Sequence, residues 1–297
     1  MEIYGKVENI KKKLTNKIIS GYLSGKNYQD ENFPVSSFLI KKNIKKHVRN
    51  FYFYARTADD IADNKKLSSN AKMQILEELN YILSGKIKSD VSITNNLINS
   101  LNELNISTKN PQDLLKAFKS DTHKKRYEDW SQLINYCKYS ANPVGRFVIQ
   151  VNYIIEKKKS DDINKIYKAS DNLCTSLQII NHLQDCKKDF LELDRIYIPK
   201  SMFKKFNSKP SEIKEDKSSE NFKLLKIQII NKVEELLEQS KAGLKLIQLT
   251  RLRKETLIIF HIARKLCYLL KNNDPLEKNV KLSRIDLIFC FLKGIIS

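Results

Sequence analysis

Apolar residues in this chain recur every three to four positions, with Lys filling much of the space between them. The residues that would interrupt such a pattern are scarce: seven Gly and six Pro among 297. This spacing stacks apolar side chains along one face of a helix, whereas half-buried strands would require strict alternation. An all-α fold is therefore expected. Residues 1–30 read as a short helix and a polar connection, and Pro34 leads into a continuous helical pattern from about Ile44 to Asp63. Further helical patterns run over 70–84, 91–104 and 111–125, then from Trp130 onward until Pro143, which must kink or break the helix. A helix from Asp161 to about Leu191 follows, and Pro199 closes that segment. Residues 204–221 are polar and charged enough to predict a mobile loop, followed by helices over 222–248 and 250–271. The tail, LSRIDLIFCFLKGIIS, predicts a short apolar helix that packs on the core, because so few residues cannot span a bilayer. With no linker in view, residues 1–297 are expected to form one domain.

Two of these helical stretches carry clustered carboxylates. FYFYARTADDIADN holds Asp59, Asp60 and Asp63, and IINHLQDCKKDF holds Asp185 and Asp189. Residues four apart lie one turn apart on the same helical face, so each stretch directs two carboxylates the same way. Arg56 shares that face with Asp59 and Asp63 within an apolar, aromatic segment, and Asn181, Asp185 and Asp189 form one stripe. Hard divalent cations take oxygen ligands, and Mg²⁺ commonly uses one or two carboxylates while water and phosphate oxygens fill its other positions. Two such pairs, 126 positions apart, could face each other across a helical bundle around an organic diphosphate. His182, by its local pattern, is expected to be a core residue rather than a ligand.

The formal charge of +20 would attract any polyanion: nucleic acid, anionic lipid or a diphosphate ester. Lys residues are spread along the chain, and helix-turn-helix, zinc-finger and RNP-like signatures are absent, so no nucleic-acid partner is expected. The five Cys form no CxxC pair, and none has a zinc-binding spacing with the four His, which fits a reducing, cytoplasmic compartment. MEIYGKVENIKKK lacks the apolar core of a signal peptide, and no run approaches the ~20 apolar residues of a membrane span. A location in the cytoplasm, peripheral to the inner membrane face, is expected.

Several ordered blocks resemble the squalene/phytoene synthase family over nearly the whole length. FPVSSFLIKKNIKKHVRNFYFYARTADDIADN is similar to the family's Ser-Phe entry, its Tyr-Ala-x-x-Arg helix and its first DxxxD motif. KSDTHKKRYEDWSQLINYCKYSANPVG resembles the D-x-x-x-x-R-Y block with the Tyr-Cys and Val-Gly that follow it. NHLQDCKKDFLELDRIYIP resembles the second Asp motif and its R-x-Y-x-P sequel. The resemblance implies a single-domain, all-α isoprenoid-synthase bundle with a central cavity. In it Asp59, Asp63, Asp185 and Asp189 would hold Mg²⁺ ions that bridge to substrate diphosphate. Arg56, Ser36 or Ser37, and Asn181 would serve the diphosphate and the second metal site, and Tyr136 would stand in the cavity.

Two departures carry the finer expectation. Gln184 stands where most members have Arg, and Ser140-Ala141-Asn142-Pro143-Val144-Gly145 replaces the usual Val-Ala-Gly-x-Val-Gly. Both resemble the hopanoid-pathway branch, which converts presqualene diphosphate to hydroxysqualene. Gln184 and Asn142, uncharged but able to donate and accept hydrogen bonds, would then help place the attacking water. Head-to-head condensation of two farnesyl diphosphates to presqualene diphosphate or squalene remains the alternative, as does a non-enzymatic basic module binding nucleic acid or membrane. Contact with a membrane surface and association with other squalene-pathway enzymes would suit a nearly insoluble product.

Overall fold

A computed structural model describes residues 14–23, 25 and 41–297. Among these the regular elements are helices, and the β-pairing is one isolated parallel bridge between Arg126 and Ile196. The helices are α1 (Asn16–Ser20), α2 (Lys42–Asp63), α3 (Ser69–Leu83), α4 (Ser92–Glu103), α5 (Lys109–Asp121), α6 (Trp130–Ser140) and α7 (Asn142–Ile155). They continue with α8 (Ile163–Gln184), α9 (Cys186–Leu193), α10 (Lys200–Lys205), α11 (Glu220–Lys245), α12 (Thr250–Asn272) and α13 (Arg284–Ile296). Local chemistry sets many of the starts. The side chains of Ser68, Asp129, Ser219 and Ser283 each accept a hydrogen bond from a backbone N–H in the first turn of the following helix.

Pro143 acts as its position predicts. Helix α6 stops at Ser140 and Pro143 falls in the first turn of α7, where its missing N–H costs nothing. The helix expected from Asp161 to Leu191 is divided, because α8 ends at Gln184 and α9 starts at Cys186. The division is a bend. Asp185 N–H still donates to Asn181 O at 2.9 Å and Asp189 N–H to Asp185 O at 2.8 Å, so these three residues keep successive turns.

Two apolar clusters meet across α7. Phe147 and Val151 belong to the cluster built on α2 to α5, and Phe147 stacks on Phe51 with ring centroids 4.2 Å apart. Ile149 and Tyr153 belong to the cluster built on α6, α8 and α11 to α13. Gly243 lets α11 approach α8 closely, since a Cβ there would sit 2.6 Å from the Ala169 Cβ and 2.9 Å from the Lys165 carbonyl.

The segment 204–221 corrects the expectation of a mobile loop. It holds the end of α10, a 3₁₀ turn at Pro210–Lys214 and the N-cap of α11. Ile213 is fully buried, and Ser218 donates through its backbone N and its Oγ to the two Asp274 carboxylate oxygens at 2.7 and 2.6 Å. One apolar anchor and one capped carboxylate order a stretch whose average composition is polar. The tail is also only partly as expected: α13 packs on α12 through Cys290 and Gly294, but its opposite face is exposed.

Candidate active site

The first acidic cluster occupies the last turn of α2, which holds no basic residue. Carboxylates at a helix C-terminus are repelled by the helix dipole, so three there oppose local stability. Arg56 offsets part of this repulsion: Nη1 lies 3.1 Å from Asp59 Oδ2, and Nε and Nη2 donate to Asp60 Oδ1 at 3.0 and 2.5 Å. Asp60 is buried and takes much of the guanidinium's charge. Asp59 remains undercompensated. Its acidity is weakened to a pKa of about 8, first by burial and then by the neighbouring Asp63 charge, against the pull of Arg56.

The second cluster spans the bend between α8 and α9, with Asn181, Asp185 and Asp189 one turn apart in succession. His182 Nδ1 lies 3.8 Å from Asp189 Oδ2, and its Nε2 is 3.1 Å from Gln178 Nε2. Burial lowers the imidazole pKa below its usual value, and the ring stacks on Tyr197.

Arg195 joins the two clusters. Helix α9 ends at Leu193 and is capped by Asp194, which adopts the left-handed conformation (φ 51°) just before Arg195. Arg195 is 3% exposed; its Nη1 donates to Asp63 Oδ1 at 2.9 Å and to the Tyr197 hydroxyl at 3.1 Å, while Nη2 donates to Asp121 O at 3.0 Å. Its backbone N–H donates to Asp189 O at 3.1 Å. A path of direct contacts therefore runs from Asp63 through Arg195, Tyr197 and His182 to Asp189. Residues 132 positions apart meet in one ion pair.

Three tyrosines and a buried acid line this path. Tyr136 donates its hydroxyl to Asp121 Oδ2 at 2.9 Å and lies 3.3 Å from the Tyr197 hydroxyl, and the Tyr127 ring packs against both. Burial lifts Asp121 to a pKa of about 7 despite the nearby Arg195 charge and the Tyr136 hydrogen bond. Its Oδ1 has no hydrogen-bond partner, and burial pushes the Tyr136 phenol well above its ordinary range. Lys72 and Lys125 add positive charge beside Asp63 and Arg195.

Of the residues singled out in the sequence, Asp63 and Asp189 end this path and Tyr136 packs beside it, while Asp59 and Arg56 sit in the turns before Asp63 and Asn181 and Asp185 in the turns before Asp189. Gln184 and Asn142 are not brought together. Gln184 Nε2 donates to Val280 O at 2.6 Å, whereas Asn142 Oδ1 accepts from Thr175 Oγ1 at 3.0 Å. Thr175 precedes Gln184 by nine residues on α8, roughly 14 Å along the axis. Ser36 and Ser37 lie outside the described residues. Cavities of about 270 and 190 Å³ open at α11–α12 and between α2, α7 and α12, and none of the four aspartates lines either. Arg195 and Asp121 stand in the sequence as the Arg of the R-x-Y-x-P sequel and the Asp of the D-x-x-x-x-R-Y block, without an assigned role; their motif positions were the signal, and the ion pair with Asp63 and the burial of Asp121 are what the structure adds.

The carboxylates fit a divalent cation of the kind that relies on water and phosphate. Among the described residues no three His, Cys, Asp or Glu side chains converge as a closed metal cage. Paired carboxylates with mutual repulsion, as at Asp59 and Asp63, suit an ion that takes one or two protein ligands and is completed by a diphosphate.

Residues 26–286 match the sequence profile of the family described as squalene/phytoene synthase. A hydroxysqualene synthase of Sinorhizobium fredii is 36% identical over 91% of this chain and 89% of its own length. One of Zymomonas mobilis is 37% identical over 90% and 88%. Among solved structures, a squalene synthase of Alicyclobacillus acidocaldarius superposes with a TM-score of 0.70 at 23% identity, covering 86% of this chain and 92% of that one. A dehydrosqualene synthase gives 0.72 at 21% identity, covering 86% and 87%. At those identities the superpositions establish a shared all-helical fold.

Proposed function

The chain belongs to the squalene/phytoene synthase family and is an isoprenoid synthase, and from that premise we propose that it converts presqualene diphosphate to hydroxysqualene with Mg²⁺. Membership in an enzyme family sets aside the reading as a basic binding module. The observation that carries the proposal is the path from Asp63 through Arg195, Tyr197 and His182 to Asp189, which connects the two distant acidic clusters. The finer assignment is supported by the relatives named hydroxysqualene synthase, which align over nine-tenths of the chain.

In this reading the C–O bond of the cyclopropylcarbinyl diphosphate breaks and its electron pair leaves with pyrophosphate. The carbocation rearranges, a water oxygen forms the new C–O bond, and the water's surplus proton leaves to the departing phosphate or to solvent. Asp59, Asp63, Asp185 and Asp189 would hold Mg²⁺, which neutralises the leaving pyrophosphate when bound. Arg56, Asn181 and one of Ser36 and Ser37 would complete the diphosphate site. Arg195 holds Asp63 in place and fixes the Tyr197 hydroxyl. The buried rings of Tyr127, Tyr136 and Tyr197 pack on one another and on His182, a wall that would exclude bulk water from the carbocation.

Gln184 and Asn142 are the proposed water-placing residues, acting at separate levels of the bundle. Gln184 Oε1 is buried without a hydrogen-bond partner, an acceptor that an ordered water would satisfy. Contact with a membrane and with other enzymes of squalene synthesis belongs to the same reading.

The test is to incubate the purified protein with Mg²⁺, without nicotinamide, separately with presqualene diphosphate and farnesyl diphosphate, and to identify the products by mass spectrometry. Hydroxysqualene from presqualene diphosphate alone is expected. Consumption of farnesyl diphosphate to presqualene diphosphate would overturn the assignment in favour of condensation. Unchanged hydroxysqualene yield and product ratio in both Gln184→Ala and Asn142→Ala would remove their water-placing role.

A further inference from the structure

The outer face of α13 is a continuous apolar stripe. Ile285, Ile288, Phe289, Leu292 and Ile296 recur at helical spacing and are 65%, 59%, 60%, 49% and 84% exposed. Cys290 and Gly294, on the opposite face, are buried against α12. At Gly294 a Cβ would come within 2.4 Å of Ile258, so the helix is held close along that inner face. Scattered single apolar residues on a surface need no explanation, but a full stripe on one helix does. Tyr268, 58% exposed on α12, adds an amphipathic ring.

Charge selects the occupant. Arg284 and Lys293 are exposed on α13 itself. Lys293, Lys241, Arg264 and Lys245 together help hold the His261 imidazole below its usual range, after burial, which puts all four near the helix's C-terminal end, where His261 meets Ser297. The neighbouring carboxylates are already engaged: Asp286 with Lys265 and Glu238 with Arg264, each at 2.9 Å. A second copy of a chain with a net charge of +20 would set one row of cations against another in an isologous contact. A bilayer rich in anionic headgroups would instead bury the stripe and attract the cations.

We propose that α13 is an in-plane docking helix, its outer stripe seated at the headgroup–acyl boundary of an anionic membrane and its flanking Lys and Arg residues on the phosphates. Its 13 residues extend only about 20 Å, too short to cross. Among the described residues no helix is long and apolar enough to span.

The full-length protein is sedimented with vesicles of phosphatidylcholine alone and of phosphatidylcholine mixed with an equal part of phosphatidylglycerol, and light scattering reports its oligomeric state. Pelleting with the anionic vesicles, and far less with the neutral ones, is expected. Ile288→Ser combined with Phe289→Ser should weaken binding by about tenfold or more. Lys293→Glu or Lys245→Glu should weaken it about fivefold or more each, and raised salt should do the same. These positions are exposed, so melting temperatures should match the parent. Equal pelleting with both vesicle types, or with neither, overturns the proposal. So does undiminished pelleting of the Ser variant, or a parent dimer that the Ser variant turns into monomer. No substrate enters the assay, so its outcome is independent of the proposed reaction.

Discussion

Replacing Arg195 tests whether the link between the two aspartate clusters holds the site together. In Arg195→Leu the Asp121 carboxylate, 2% exposed, loses the cation that most favours its ionised form. Asp63 loses a 2.9 Å ion pair. Removing one partner of a fully buried pair typically costs ~3–5 kcal/mol, because the remaining charge is left without compensation. Asp63 is about one-third exposed and can recruit water, and Asp121 can take up a proton, so the low end applies: about 3 kcal/mol. For a chain of this size that corresponds to roughly 6 °C in melting temperature. Arg195→Lys keeps the charge but not the fork that reaches Asp63, Tyr197 and Asp121 together, and should lose about half as much. Urea unfolding midpoints measure the stability, and turnover with presqualene diphosphate should fall on the order of 10²-fold as Asp63 and Tyr197 lose their orientation. The control is Lys65→Ala. It breaks the exposed Lys65–Glu192 pair that joins the turn after α2 to α9 at 3.3 Å, and should cost under ~1 kcal/mol. If Arg195→Leu unfolds and turns over like Lys65→Ala, the network is not what assembles the site.

Asp59→Asn removes both the burial cost and the repulsion from Asp63. Without metal it should melt above the parent; Mg²⁺ should no longer raise the melting temperature, and turnover should drop at least ~10³-fold, all readable by thermal shift and product assay. The pH dependence has a definite sign. Asp59 and Asp121 hold protons in the folded state up to pKa values of about 8 and about 7, whereas unfolded carboxylates release theirs near pH 4. Their contribution to stability is therefore present below about pH 4 and lost as pH rises through 7 to 8, and the stabilisation by added Mg²⁺ should grow over the same window; a metal-free melting temperature that rises across it would refute the assignment. Gly294→Ala places a methyl 2.4 to 2.6 Å from Ile258 side-chain and backbone atoms, so hydrogen exchange should accelerate in α13 and leave α2 and α8 as in the parent, at an overall cost of ~1–3 kcal/mol.

What could be read from the sequence was what is set by neighbours along the chain. Helical spacing of apolar residues fixed the all-α architecture, Pro143 the break between α6 and α7, and the four-residue spacing of Asp59 with Asp63 and of Asp185 with Asp189 their shared faces. Each of these rests on contacts within a turn, which residue identity alone specifies. Tertiary structure decided the rest. Arg195 finds Asp63 across 132 positions, and Gln184 finds the Val280 carbonyl across 96, so a residue expected to help place a water also gives its amide N–H to the loop leading to α13. Residues 204–221 are ordered because Ile213 is buried and Asp274 lies within reach of Ser218, and α13 keeps an exposed apolar face because α12 covers only one side of a helix with apolar residues on both. Such pairings depend on where bends and loops deliver distant segments, and no local periodicity records that destination.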